Sequence, residues 1–79
     1  MATTAKTIGR DWQQITDGTQ TACIQFNGSL EFCDSPQKPP DDTASLKFWT
    51  TFCYQHMTIT PPTVCWVRAL DKDVILTVL

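Results

Sequence analysis

Residues 19–33, Thr-Gln-Thr-Ala-Cys-Ile-Gln-Phe-Asn-Gly-Ser-Leu-Glu-Phe-Cys, decide the fold class. Apolar and polar side chains alternate from Ala22 to Phe26 and again from Leu30 to Cys33, which is the period of a strand with one face toward a core. Asn27-Gly28-Ser29 between them is a turn signal. Register tests how the two runs pair. A two-residue Asn-Gly loop sets Phe26 against Ser29 and Ile24 against Glu31, mixing polar and apolar residues on each face. A loop with an odd number of residues puts Ala22, Ile24, Leu30 and Phe32 on one face. Cys23, Gln25, Glu31 and Cys33 then share the other. A one-residue slip exchanges the two faces, so the odd loop is expected, as a hairpin turn with a glycine bulge.

Strand signals continue on both sides of this segment. Residues 11–16 carry Trp12 and Ile15 and end at Asp17-Gly18. Residues 47–60 are the longest strand-like run, with a break expected near Phe52 and an end at Pro61-Pro62. Residues 63–70 and 74–79 are separated by the turn Asp71-Lys72-Asp73. Residues 34–45 contain Pro36, Pro39, Pro40, Asp41 and Asp42; they cannot donate a regular ladder and predict a surface loop, with room for one helical turn at 42–46. Six or seven short strands with frequent turns predict an all-β fold, a small antiparallel β-sandwich or barrel. Residues 11–79 form its single domain, and residues 1–10, small and polar, are expected as a flexible arm that orders on a partner.

A chain of 79 residues holds one domain with a small core, and such chains often add a disulfide, a metal or a partner subunit. The hydrophobic fraction, 42%, is that of a globular protein. The formal charge is −2, and Lys6, Arg10, Lys38, Lys47, Arg68 and Lys72 are scattered, which argues against a basic face for nucleic acid. Met1 to Arg10 lacks the apolar core of a signal peptide, and no run reaches the ~18 apolar residues of a membrane span. The expectation is synthesis and assembly in a cytoplasm, without direct nucleic-acid or membrane contact.

The residues that could carry chemistry each have a plainer reading. Cys23, Cys33, Cys53 and Cys65 contain no C-x-x-C pair, and His56 is the only histidine, so a zinc site lacks its usual ligand spacing. The favoured reading is four small, mostly buried thiols. A Cys23–Cys33 disulfide stays open, because the odd hairpin loop sets them opposite one another. His56 could serve a thiol as a base, yet no nucleophile motif surrounds it and no triad is visible. Asp41-Asp42 and Asp71/Asp73 read as solvated turn formers, not as facing carboxylates. Asn27-Gly28-Ser29 matches a glycosylation sequon, but the turn alone accounts for it. No catalytic residue, cofactor or metal ligand is expected. Among the aromatics, Trp12 and Trp66 are expected in the core, and Phe48-Trp49, following the Pro-rich loop, is the candidate for an interface.

Trp12, Asp17-Gly18-Thr19, Ile24-Gln25, Asp34-Ser35, Pro39-Pro40-Asp41-Asp42, Pro61-Pro62, Val64 and Trp66-Val67-Arg68-Ala69 together form a pattern. It resembles the small β-sandwich structural proteins of tailed bacteriophage virions, found on heads and tails. The likeness covers roughly residues 10–79 and rests on turns and core aromatics. It implies a non-enzymatic virion component, a head-decoration or capsid-associated subunit that binds the major capsid protein or another virion protein, often as a homo-oligomer. Arg10, Pro39, Pro40, Asp41, Asp42, Phe48 and Trp49 are the expected partner-binding residues. Two other readings remain open: a tail fibre, spike or adaptor component that binds host glycans, and a secreted, disulfide-stapled effector or inhibitor.

Overall fold

The computed structural model of the chain describes residues 3–49 and 53–79. Among the described residues, eight strands form two four-stranded antiparallel sheets. They are β1 (Thr4–Ile8), β2 (Gln13–Gln14), β3 (Ala22–Phe26), β4 (Leu30–Asp34), β5 (Leu46–Phe48), β6 (Gln55–Ile59), β7 (Cys65–Ala69) and β8 (Val74–Val78). Sheet I has the order β1-β8-β3-β6 and sheet II the order β2-β7-β4-β5. The expected sandwich is therefore present, with eight strands where six or seven were expected.

The added strand is β1. Residues 4–8, expected within a flexible arm, pair with β8 from Thr4↔Val78 to Ile8↔Val74, and Ile8 is fully buried. One apolar residue at the end of a polar run is enough to seat the segment as an edge strand. The run 47–60 resolves into β5 and β6, which belong to different sheets; the expected break near Phe52 lies outside the described residues. The helical turn considered at 42–46 is absent. Instead the Thr43 amide donates to the Pro40 carbonyl at 3.2 Å and closes a β-turn.

The hairpin expected at Asn27-Gly28-Ser29 is corrected. β3 pairs with β6 and β8, whereas β4 pairs with β5 and β7. The turn thus carries the chain from one sheet to the other. Ala22, Ile24, Leu30 and Phe32 are all buried, as the alternation required, but they face each other across the core. Phe26 and Phe32 meet at 5.5 Å between ring centroids, and Phe48 packs edge-on against both. Gly28 makes the crossing possible. Its φ is +149°, and a Cβ there would lie 2.6 Å from Val74 Cγ2.

Of the seven connections between consecutive strands, β4–β5 alone stays within one sheet; the other six cross the core. Polar splices hold the crossings. The Thr16 hydroxyl, itself buried, donates to the Thr63 carbonyl at 2.8 Å and accepts from the Cys65 amide at 3.0 Å, tying the end of β2 to the start of β7.

Candidate functional site

The two outer faces of the sandwich differ in chemistry. Outward positions on sheet II include Glu31, Cys33, Lys47, Trp66 and Arg68. The loop between β4 and β5 folds back as a roof over this face. Arg68 is its anchor: Nε lies 3.1 Å from Glu31 Oε2, Nη2 donates to the Asp41 carbonyl at 2.7 Å, and Nη1 lies 3.3 Å from Asp41 Oδ1. The guanidinium also stacks over the buried Trp12 ring at 4.4 Å. Lys38 reaches Asp11 at 3.1 Å, and the Trp66 indole donates to the Ser35 carbonyl at 2.9 Å. Burial works to raise the Glu31 carboxyl. The Ser45 hydroxyl, Arg68 and Lys47 outweigh it, so the group sits below its ordinary value.

Sheet I is bare by comparison. Strand pairing places Ala5, Thr77, Gln25 and His56 in one outward row, with Thr7 and Ile75 in the row on one side and Cys23 and Thr58 in the row on the other. His56 Nε2 is 3.0 Å from Gln25 Oε1, and Cys23 Sγ is 3.8 Å from Thr58 Oγ1. Thiol and imidazole share a face, but each is engaged with a different neighbour.

The side of the sandwich between β5 and β6 is open. A cleft of about 330 Å³ enters there, lined by Phe32, Leu46, Met57, Ile59 and Cys65 among others. Leu46, in its lining, is 61% exposed, and Trp49, just past the end of β5, is 71% exposed. Burial pushes the Cys65 thiol up to about 11, aided by the Asp34 charge and by Cys33.

The expected partner-binding residues fall into two groups. Pro40, Asp41 and Asp42 are exposed on the roof and Arg10 is exposed between β1 and β2, but Pro39 is buried and so lies outside any free surface. Asp41 is committed to Arg68. At the edge, Phe48 turns inward to the aromatic cluster and Trp49 turns out, so the expected pair divides between core and surface. The cysteine reading also needs correction. Cys65 is buried and Cys33 half-buried, but Cys23 and Cys53 are exposed, which ends the picture of thiols as core filler. Cys23 and Cys33 sit in different sheets and do not pair, because β3 and β4 are not neighbours. Sequence reasoning missed Arg68 and Glu31. Their signal was present: a cation and an acid, each flanked by apolar residues at strand period.

Among the described residues, no three His, Cys, Asp or Glu side chains are grouped to hold a metal ion, and no helix is long and apolar enough to cross a membrane. Comparison with known protein families, with curated proteins and with solved structures returned no match.

Proposed function

We propose that this chain is a non-enzymatic structural subunit that docks onto a larger protein assembly, as a head-decoration or capsid-associated component of a tailed bacteriophage virion. The observation behind this reading is the open side between β5 and β6. Exposed Leu46, at the start of β5, lines an apolar cleft there, and exposed Trp49 follows the other end of the same strand. Tryptophan is enriched at the energetic centre of interfaces, and a cleft at the start of the same strand gives a partner's apolar side chain a place to bury. The partner is the major capsid protein or another virion protein, met in the bacterial cytoplasm during assembly. The virion setting comes from the turn-and-aromatic pattern of the sequence; the docking edge comes from the fold.

Mass spectrometry of purified particles tests the setting. The chain should be present in many copies per particle, and its absence would overturn the proposal. Trp49→Ala should lower occupancy on particles by about tenfold or more, the loss typical of an interface hot spot. Unchanged occupancy would remove β5 as the docking edge. A tail component that binds glycans draws on the same exposed Trp49 together with exposed Tyr54. Binding on a glycan array, with the chain located on tails, would favour it.

A further inference from the structure

The four strands of sheet I contain one charged residue, Lys6, and it pairs with the buried Leu76 on the inward side. The outward positions therefore carry no formal charge at neutral pH with His56 neutral: Ala5, Thr7, Cys23, Gln25, His56, Thr58, Ile75 and Thr77. Asp73 stands only on the rim, beyond Ile8↔Val74. Ile75 is 56% exposed and Leu79, at the edge of the same face, 73%. Sheet II differs on every count: it carries Glu31, Lys47 and Arg68, and the chain's own loop covers it.

We infer that the outer face of sheet I is the contact surface for a second copy of this chain, packed sheet against sheet about a two-fold axis. Charge selects that occupant. A two-fold contact brings each residue near its own copy, so a charged face sets like charges together. The domain has a net charge of −2, and this is a face on which two copies meet without that repulsion. A membrane surface would call for lysines and arginines, and a glycan for aromatic platforms; the outward positions of these strands hold neither.

The dimer is independent of docking through Trp49. Analytical ultracentrifugation of the full chain over micromolar to millimolar concentrations should show a monomer–dimer equilibrium. Ile75→Lys and Thr77→Lys should each weaken it by at least about tenfold, because each puts a pair of like charges into the contact. Trp49→Ala should leave it unchanged. Thermal melts establish that the lysine variants fold. The wild-type chain gives a second readout: alkylation of Cys23, mapped by mass spectrometry, should slow as concentration rises through the dimer range. A wild-type monomer at every concentration overturns the inference. So does a dimer that both lysine variants preserve, or one that Trp49→Ala dissociates.

Discussion

At the scale of single residues, one contact organises the charged side of the molecule. Arg68 holds Glu31 and Asp41 together and lies on Trp12. Glu31 is 5% exposed, so removing its charge leaves the guanidinium short of its least solvated partner. Glu31→Gln should lower stability by about 2 kcal/mol, in the range of a hydrogen bond to a charged group. The pH dependence has a definite sign. The folded carboxyl sits below its ordinary value of 4.5, so the folded state holds fewer protons there than the unfolded chain does. Its contribution is present above pH 4.5 and disappears as pH falls through the lower folded value. Urea midpoints from pH 7 down to pH 3 should therefore fall less steeply for Glu31→Gln than for the wild type. Parallel curves would mean that the pair with Arg68 contributes nothing. The sequence placed Glu31 on the polar side of its strand, and that side is correct. Its burial could not be foreseen, because the covering loop lies residues away and its path depends on Arg68.

At the scale of elements, alternation was readable and pairing was not. Ala22, Ile24, Leu30 and Phe32 turn inward as the two-residue period required. A period of two says which side of a strand is apolar. It does not distinguish a strand lying alongside in the same sheet from one lying across the core. Both arrangements bury the same four side chains, so the hairpin and the sheet crossing look alike from sequence. The short β2 and the seated β1 were obscured for a related reason: each takes its place from partners far along the chain, β7 and β8. The glycine at the crossing gives an element-level test. A Cβ at Gly28 would meet Val74 Cγ2 at 2.6 Å and Cγ1 at 3.1 Å, and Val74 is itself buried against β1 and the core. Gly28→Ala should lower stability by about 2 kcal/mol, combining an unfavourable φ with overpacking. Chemical denaturation checks it, and a loss below ~0.5 kcal/mol would mean the crossing relaxes freely.

At the scale of the whole molecule, the pattern of crossings sets the order of assembly. Neither sheet can be completed from one stretch of chain, because the neighbours β1 and β8, β2 and β7, and β3 and β8 are distant in sequence. Loop-closure entropy must be met before those pairings gain anything, so folding should be slow for 79 residues, in the millisecond-to-second range. Stopped-flow tryptophan fluorescence measures this directly; a microsecond phase carrying the full amplitude would contradict it. The fold class was legible because turn residues and strand periodicity recur throughout the chain. The surfaces proposed for docking and self-association were less so. Phe48-Trp49 reads from the sequence as an interface candidate, and only Trp49 stays outside. The uncharged face of sheet I is assembled from four separated strands, and its lack of charge emerges only when they stand side by side.

The pairing of β1 with β8 also governs how the molecule bears load. Thr4 lies opposite Val78, so points near the two ends of the described chain emerge at the same end of one strand pair. A pull between them acts across the strands, along the direction of the ladder hydrogen bonds, and these then open one after another. The β1–β8 pair thus opens like a zipper when Thr4 and Val78 are drawn apart, one ladder bond at a time.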